Sequence, residues 1–492
     1  MVIGGGLAGL ASAVALAEAG FRVRLFEKRP HLGGRATSYT LPDGSEVDNC
    51  QHVTLGCCTN LADFYRRAGA DGKIRFYDRL YFMDAKGRRS VMRASALPAP
   101  LHLAPSFLFF GSLSWADKRA IARALVAIAK AGGELPDIAG ISMLEWLGRM
   151  RQTPGAIERF WRVVLVSALD EELGRTDARY GIEVFWKAFL ANRGGYRVGI
   201  PRVPLAELYQ GCLDAVVRAG GEVRMRSGVR EIRVRENAFA GVVLEDGSEI
   251  SADACVACVP HDALPGMLPG AMSEAAGRLR GLRSIKTSPI TGVHFWFDRA
   301  VMEEPFLALL DHRTQWIFNK SLLYAAENDA GANSGAGGQY LQLVISASYD
   351  LVPRSRQEII DLCRKELEEI LPAARKAQMV KATVIKEVNA TFSPEPCVDR
   401  WRPAQDIGVR NLFLAGDWTR TGWPATMEGA VRSGYLAAEA LAACHKRTDG
   451  GAHKFLKADL PSEGLSKWWA RRQAAEPRPQ EQPGRSVSEY DG

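Results

Sequence analysis

The 492-residue sequence lacks the features that mark several large classes of protein. Its nine cysteines are too sparse for a disulfide framework. Its net charge of +7 is spread along the chain and not gathered into the Lys/Arg tract typical of nucleic-acid binding. No spaced set of His, Cys and Asp supports a zinc site. We therefore expect a globular protein of two or three domains in a reducing, cytoplasmic compartment, with no metal and no nucleic-acid partner.

An uninterrupted apolar segment is missing from both places where a secretion signal or membrane span would need one. The first segment has no basic start, and glycines at 4–6 interrupt it. Residues 96–115 carry no formal charge, but Pro98, Pro100 and Pro105 argue against a straight spanning helix. We interpret residues 96–115 as an interfacial or lid segment.

Glycine is abundant, with 48 residues, and its first cluster has a recognisable spacing. Gly4, Gly6 and Gly9 follow a strand and open an apolar helix predicted over residues 7–19. Such glycines allow a tight turn and bring backbone N–H groups close to a pyrophosphate. Glu27 ends the next predicted strand, where its carboxylate can accept hydrogen bonds from ribose hydroxyls. This pairing predicts an adenine dinucleotide, and NAD and FAD both fit it.

Two further segments favour FAD over NAD. The pair Gly33 and Gly34 precedes Arg35, which can pair with a phosphate. Near the other end of the chain a strand ends in Gly416 and Asp417, before a helix whose positive end can face an electron-rich flavin. No second glycine motif indicates a separate nicotinamide domain. We expect the following residues to bind FAD: Gly4, Gly6, Gly9, Glu27, Gly33, Gly34, Arg35, Val229, Gly416, Asp417, Met427 and Ala430.

The pattern of helices and strands predicts an α/β fold. It indicates a Rossmann-type, glutathione-reductase-like FAD-binding domain that is discontinuous in sequence, with an inserted α+β substrate domain. We expect the FAD-binding domain at 1–95, 201–280 and 386–445, and a substrate and membrane-facing domain at 96–200 and 281–385. Residues 446–492 form a C-terminal extension that is predicted to be disordered after about residue 475. Alternating runs at 229–235, 240–245 and 252–259 predict a β-meander.

The cofactor segments, with residues 48–56 (DNCQHVTLG), 201–205 (PRVPL) and 424–434, resemble the FAD-dependent amine oxidase and phytoene desaturase superfamily from residue 2 to about residue 443. Within it the sequence is most similar to the squalene-associated FAD-dependent desaturases, also called hydroxysqualene dehydroxylases. Two departures bear on the substrate more than on the flavin: Cys50 stands where glycine is expected, and residues 168–172 (ALDEE) replace a more usual turn.

The resemblance implies reductive dehydroxylation of hydroxysqualene to squalene, for hopanoid-type lipids, with upstream squalene-pathway enzymes as partners. The alternatives are a carotenoid (phytoene-type) desaturase, an amine oxidase, and a carrier that holds flavin without catalysis. Dehydroxylation needs a proton donor near the leaving hydroxyl. The resemblance implies that the segment containing His52 passes beside the flavin ring, so His52 is the first candidate acid. Glu428 is the second candidate. The alternative for either residue is a purely structural role. Asp48, Asp170, Glu171 and His294 are weaker candidates.

Residues 116–130 combine apolar positions with Lys118, Arg119, Arg123 and Lys130, a pattern that suits an anionic surface. The alternative is an ordinary amphipathic helix. An isoprenoid of roughly thirty carbons would lose on the order of 20 kcal/mol in leaving lipid for water, at about 0.8 kcal/mol per CH₂. We therefore expect a peripheral protein on the inner face of the cytoplasmic membrane, which takes its substrate from the bilayer.

Overall fold

Short strands from distant parts of the chain form a five-stranded parallel sheet in the computed structural model, which describes residues 1–269, 277, 279–325, 338–445 and 453–475. Its strands, in spatial order, are Glu222–Arg224, Arg24–Phe26, Val2–Ile3, Cys255–Ala257 and Leu412–Leu414. Helix Leu7–Glu18 packs against helices Met427–Cys444 and Gln210–Arg218. The Rossmann-type α/β fold is thus confirmed, and strands as far apart in sequence as Val2–Ile3 and Leu412–Leu414 belong to one sheet.

A seven-stranded mixed sheet forms the second layer. Its strands, in spatial order, are Met379–Phe392, Thr287–Phe297, Gln339–Ser346, Trp316–Asn319, Phe306–Leu309, Arg79–Met83 and Arg89–Arg93. The last two strands lie within the predicted FAD-binding segment 1–95, yet Phe82 pairs with Ala308 of this sheet. Strand Met379–Phe392 likewise crosses the predicted boundary between 385 and 386. This sheet therefore draws on both predicted domains, because strand pairing joins segments that are far apart in sequence.

The β-meander is present, but its third strand differs from the prediction. It consists of Val229–Arg235, Ala238–Leu244 and Glu249–Ile250. The Asp246–Gly247 turn joins the second strand to Glu249–Ile250, with Gly247 at a φ of +88°. The predicted run 252–259 instead supplies Cys255–Ala257 to the parallel sheet. Two smaller sheets are formed by Ser38–Thr40 with Glu46–Asp48, and by Thr54–Leu55, Val198–Pro201 and Ile74–Tyr77.

Helices pack against both sheets, for example Arg356–Ile370 on strands Met379–Phe392 and Thr287–Phe297. The other α-helices are Thr59–Arg67, Ala104–Leu108, Trp115–Lys130, Met143–Arg149, Pro154–Ala156, Arg162–Leu169, Ala178–Val184, Leu264–Met267, Lys320–Tyr324, Arg356–Ile370 and Gly464–Ala475. Within the described residues there are also two π-helical turns, Ile157–Trp161 and Phe185–Leu190, and six 3₁₀ turns, Asp71–Lys73, Leu101–Leu103, Leu205–Tyr209, Arg280–Ser284, Ala374–Lys376 and Val398–Trp401.

Helix Trp115–Lys130 starts where the sequence favours a start, because Ser114 and Asp117 form a reciprocal capping box. Among the helices that the structure describes, none has both the length and the apolar character needed to cross a bilayer. The predicted disordered tail after residue 475 and the start of the C-terminal extension, residues 446–452, lie outside the described residues.

Candidate active site

The first glycine cluster forms a cradle at the N-terminus of helix Leu7–Glu18. A Cβ atom on Gly9 would lie 1.9 Å from the Gly4 carbonyl oxygen, and one on Gly4 would lie 2.6 Å from the Cys258 carbonyl oxygen. Both glycines are therefore required by close packing of helix and strand. Gly6 differs, since a Cβ there would meet only the Gly34 Cα, at 3.8 Å.

Gly6 also begins the helix without any side-chain cap. The first N–H groups of helix Leu7–Glu18 therefore receive no side-chain cap from this position. An anion fits this arrangement because the helix dipole and these N–H groups both favour negative charge. The cradle thus fits the pyrophosphate of a dinucleotide such as FAD.

Glu27 lies beside the cradle, at the end of strand Arg24–Phe26. Its Oε2 accepts a hydrogen bond from the Gly5 N–H at 2.6 Å, and its Oε1 accepts one from the Arg29 N–H at 2.8 Å. The side chain is 8% exposed. Two backbone donors thus fix this carboxylate beside the cradle, where the sequence predicts that it binds the ribose. Its oxygens retain lone pairs that can accept further hydrogen bonds.

Arg35 and Asp417 pair with each other in the structure, although the sequence predicts separate cofactor contacts for each. Arg35 Nη2 lies 2.5 Å from Asp417 Oδ1, and Arg35 Nη1 donates to the Ala390 carbonyl at 3.0 Å. The two charges come from opposite ends of the chain and meet beside the cradle, which no local pattern reveals. Gly416, just before Asp417, has a φ of +149° and donates its N–H to Ser433 Oγ.

The remaining predicted cofactor residues lie on two other elements. Met427 and Ala430 occupy the first turns of helix Met427–Cys444, which Thr426 caps by accepting from the Gly429 N–H at 3.0 Å. Val229 begins the meander and pairs with Leu244. The chain just before it contacts the cradle region, because Ser227 N–H donates to the Glu27 carbonyl at 2.9 Å. Flavin contacts for Met427, Ala430 and Val229 stay predictions.

His52 is poorly suited to be the proton donor that the sequence suggests. Its Nε2 lies 3.2 Å from Asn49 Oδ1, and burial lowers the pKa of His52 to about 4. The imidazole is therefore neutral near pH 7, and little imidazolium is available to protonate a leaving hydroxyl. This environment favours a structural role for His52 near the cavity, and its assignment as a general acid stays a prediction.

Glu428 is buried, at 1% exposure, and its carboxylate is already engaged. Oε1 accepts from Asn60 Nδ2 at 2.8 Å and from the Asn60 N–H at 3.2 Å, while Oε2 accepts from the Leu61 N–H at 2.7 Å. These donors lie at the start of helix Thr59–Arg67, so Glu428 caps that helix from a distant part of the sequence. Burial raises the pKa of Glu428, but these contacts favour the structural interpretation over the catalytic one.

A buried ion pair that the sequence does not reveal lies between the two layers. Lys320 Nζ, fully buried, lies 2.8 Å from Asp48 Oδ2 and 2.9 Å from Gln51 Oε1. Tyr324 donates its hydroxyl to the same Asp48 oxygen at 2.8 Å. Burial alone would raise the pKa of Asp48, but the charge of Lys320 and the hydrogen bonds from Leu205 N–H, Lys320 and Tyr324 together outweigh it and lower that pKa. The sequence supports Asp48 only as a weaker candidate for the catalytic acid. It does not identify Lys320, because a single lysine after a strand forms no recognisable motif.

The other weak candidates are buried and paired. Asp170 accepts from the Ala347 N–H at 2.8 Å and from Thr391 Oγ1 at 2.9 Å, and burial holds the pKa of Asp170 well above its usual value. Glu171 accepts a hydrogen bond from the Tyr349 hydroxyl at 2.6 Å. His294 lies in strand Thr287–Phe297 with its Nδ1 2.8 Å from the Tyr340 hydroxyl, as expected for a core residue.

A cavity of about 410 Å³ lies next to these segments, and its walls are mainly apolar. Gln51, Pro424 and Met427 line it on the cofactor side. Leu101 and Val126 also line it, and they are 43% and 46% exposed. The cavity therefore opens to the surface between the 3₁₀ turn Leu101–Leu103 and helix Trp115–Lys130.

Comparison with known proteins agrees with this geometry. Residues 7–442 match the family described as flavin containing amine oxidoreductase. The 15-cis-phytoene desaturase of Solanum lycopersicum is 28% identical over 473 residues, covering 93% of this chain and 79% of that protein. The zeta-carotene desaturase of Synechocystis is 26% identical over 476 residues, covering 91% of this chain and 97% of that protein.

Solved structures share the fold at low sequence identity. An oxidoreductase from Methanosarcina mazei superposes with a TM-score of 0.68 at 17% identity, covering 88% of this chain and 98% of the other. Putrescine oxidase bound to putrescine superposes with a TM-score of 0.65 at 14% identity, covering 90% and 98%. These similarities describe the architecture of the two layers.

Proposed function

Because the chain belongs to the flavin-containing amine oxidoreductase family and is an FAD-dependent oxidoreductase, we propose that it desaturates a long apolar isoprenoid, as a carotenoid (phytoene-type) desaturase does. The observation that carries this proposal is the apolar cavity, which runs from the flavin-side residues Gln51 and Met427 to the protein surface. Such walls can bind a hydrocarbon chain along its length and exclude water from the reacting carbons.

An amine is a poor fit to this cavity. Four charged side chains contribute to its walls, and each already has a partner in the protein. Glu183 and Lys187 pair with each other at 2.6 Å, Arg159 pairs with Asp311 at 2.7 Å, and Glu428 caps a helix. None of these carboxylates is left to compensate a substrate ammonium, which would be costly to bury without a partner.

The state of the two candidate acids, His52 and Glu428, also favours desaturation over dehydroxylation. FAD, when bound, accepts a hydride from a C–H bond or returns one to substrate. Reductive dehydroxylation needs an acid beside the hydroxyl, but His52 is neutral and Glu428 is engaged as a cap. The curated relatives reported above are also named for desaturation. Hydroxysqualene dehydroxylation, which the sequence alone favoured, is therefore the second candidate, and its upstream pathway partners stay a prediction.

The experiment supplies both substrates to the purified flavoprotein. Oxidised protein receives phytoene in vesicles with a quinone as electron acceptor, and protein reduced with dithionite receives hydroxysqualene without oxygen. The proposal predicts a product with new conjugated double bonds in the first mixture and no squalene in the second. Squalene in the second mixture without desaturation in the first would overturn it in favour of dehydroxylation.

A pair of matched variants links turnover to the cavity. Val126 lies at the cavity mouth, and Val217 is 59% exposed on helix Gln210–Arg218 of the cofactor layer. Val126→Glu places a charge where an apolar chain must pass, so we expect about a tenfold slower turnover. Val217→Glu should keep the original rate, and equal rates for the two variants would contradict entry at this mouth.

The surface around the mouth supports membrane contact. The mouth patch comprises the exposed apolar residues Leu97, Leu101, Leu108, Phe109, Trp115 and Val126. Phe109 is 87% exposed and Trp115 is 65% exposed. Isolated exposed apolar residues are common, but a cluster at a cavity mouth indicates an interaction site. We assign this patch to the surface of an anionic bilayer, because the substrate is itself a lipid.

Exposed cations on the same helix fit an anionic surface. Arg119, Arg123 and Lys130 are exposed on helix Trp115–Lys130, beside Val126. Lys118 differs from the expectation, since it is buried and donates from Nζ to the Leu108 carbonyl at 2.7 Å. Lys118 therefore fixes the loop that carries Phe109. Arg123 donates from Nη2 to the Met150 and Arg151 carbonyls at 2.9 and 3.0 Å, so Arg119 and Lys130 are the cations best placed to contact lipid headgroups.

A further inference from the structure

We propose that the C-terminal strap, residues 453–469, forms part of the active site and that its Asp459 is a positioning residue that fixes Trp423 in the cavity wall. The strap lies beyond the part of the chain that matches the family, which ends at residue 442. The inference deepens the proposed function and rests on it only for the identity of the lipid that the cavity binds.

The strap starts on the cofactor layer. The N–H groups of Phe455 and Leu456 donate to Glu439 Oε1 at 2.6 and 2.8 Å, and Phe455 is 6% exposed. Lys457 N–H donates to Asn60 Oδ1 at 2.8 Å, and Asn60 is the residue that Glu428 also holds. The beginning of the strap is thus anchored to the elements that carry the flavin-side wall.

The strap ends at the cavity mouth. Ser466, fully buried, donates from Oγ to the Leu190 carbonyl at 2.7 Å. Leu465 N–H donates to the Ala99 carbonyl at 2.9 Å. Trp469 lines the cavity itself. A single segment therefore connects the flavin-side helix to the residues that surround the entrance.

Between these anchors, Asp459 joins two walls of the cavity through cations. Its Oδ2 lies 2.9 Å from Lys187 Nζ, on the π-helical turn Phe185–Leu190, and its Oδ1 lies 2.8 Å from Arg432 Nη1, on helix Met427–Cys444. The contacts continue at both ends, because Lys187 pairs with Glu183 at 2.6 Å and Arg432 lies 3.6 Å from Glu428. Burial alone would raise the pKa of Asp459, but Lys187 and Arg432 outweigh it, so its pKa is lowered and it remains an anion.

Trp423 is the residue on which these cations act. Lys187 Nζ lies 4.4 Å from the centre of its ring and Arg432 Cζ lies 5.5 Å from it, both within the range of cation–π attraction. Leu460, next to Asp459, packs on the same cluster as Trp423. Trp423 lines the cavity one residue before Pro424 and is 6% exposed. Asp459 thus holds both cations in place beside the ring.

The test measures binding to the cavity without requiring turnover. The probe is cis-parinaric acid, a fluorescent long-chain polyene, titrated into the holoprotein. Asp459→Asn removes the charge and keeps the shape, so we expect about fivefold weaker probe binding. Asp459→Glu should restore affinity to within about twofold. The matched control is Glu249→Gln, which removes the partner of Arg233 from the exposed meander and should leave binding unchanged.

A double-mutant cycle separates positioning from a general structural role. If Asp459 acts through Trp423, Asp459→Asn should cause less than about a twofold loss in a Trp423→Phe background. Additive losses, or unchanged affinity in Asp459→Asn, would overturn the proposal. Absorbance of bound flavin and thermal unfolding verify that each variant is folded. Because the probe is not a substrate, the result stands whether or not phytoene is desaturated.

Discussion

The cofactor cradle and the substrate cavity are built in different ways. The cradle is made mainly of backbone, since Gly4 and Gly9 leave no room for a side chain and a Cβ on Gly6 would meet only the Gly34 Cα, at 3.8 Å. The cavity is made of side chains from many elements, including the 3₁₀ turn Leu101–Leu103, helix Trp115–Lys130 and the strap. The cradle therefore tolerates almost no change at a few positions, whereas the cavity can change gradually at many. This difference explains how one cofactor fold can serve diverse substrates.

The largest loss of stability and of cofactor binding is expected from a change in the cradle. Gly9→Ala would place a Cβ 1.9 Å from the Gly4 carbonyl oxygen, so the helix must move away from the strand. We expect a loss of about 3 kcal/mol or more in the free energy of unfolding, and loss of bound FAD. The matched control is Gly148→Ala in helix Met143–Arg149, where a Cβ meets nothing within 4 Å. It should stabilise the protein by about 0.5–1 kcal/mol. Similar denaturation midpoints for both variants would contradict this account.

The second effect on stability concerns the buried ion pair between Asp48 and Lys320. Lys320→Met would leave the buried Asp48 carboxylate without its cation, and we expect a loss of about 3–5 kcal/mol in unfolding free energy. Lys381→Met removes the cation from the exposed Asp43 and should cost about 0–1 kcal/mol. Denaturant titration measures both, and a loss for Lys320→Met as small as that for Lys381→Met would show that the pair does not join the layers.

The third effect is on the pH dependence of stability. Burial lowers the pKa of His294 to about 3, from an ordinary value of 6.5. The unfolded chain therefore binds a proton as the pH falls through 6.5 while the folded protein does not, so stability decreases on acidification. Between about pH 7.5 and about pH 5, His294 alone should lower the free energy of unfolding by about 2 kcal/mol. His294→Gln should flatten the profile by about this amount, and a parallel profile would refute the assignment.

Changes in the mouth patch are expected to have the smallest effect on stability but a clear effect on membrane binding. Phe109→Ser with Trp115→Ser should leave the unfolding free energy within about 0.5 kcal/mol, because both side chains are exposed. The same change should abolish flotation with anionic vesicles. Val217→Ser with Val380→Ser, which removes exposed apolar residues elsewhere, is the control. Equal flotation of both variants would show that the patch does not contact lipid.

Sequence reasoning succeeded where a local pattern has one physical meaning. The spacing of Gly4, Gly6 and Gly9 before an apolar helix predicted the cradle and the Rossmann-type fold, and the segments around Arg35 and Asp417 favoured FAD. It missed features that depend on residues far apart in the chain. The Arg35–Asp417 pair spans 382 positions and the Lys320–Asp48 contact spans 272, so neither leaves a trace in local spacing.

The cavity was less predictable for the same reason. Its apolar walls come from several segments. Each of them, taken alone, has the hydrophobic pattern of an ordinary amphipathic helix or strand, and only tertiary packing brings them together. Exposed apolar side chains in residues 96–115 could be predicted because charge is absent over the whole segment, and its interfacial role stays a prediction. The role of Glu428 could not, because the helix that it caps begins at Thr59, in another part of the sequence.

The central claim, that an apolar cavity delivers a long polyene to the flavin for oxidation, is tested most directly by a single turnover without oxygen. Oxidised holoprotein is mixed with phytoene in anionic vesicles, and the flavin absorbance is followed without any added acceptor. We predict loss of the oxidised flavin band in step with appearance of a desaturated lipid, one product per flavin reduced. A flavin that stays oxidised with phytoene, but is reoxidised by hydroxysqualene after reduction with dithionite, would contradict the claim.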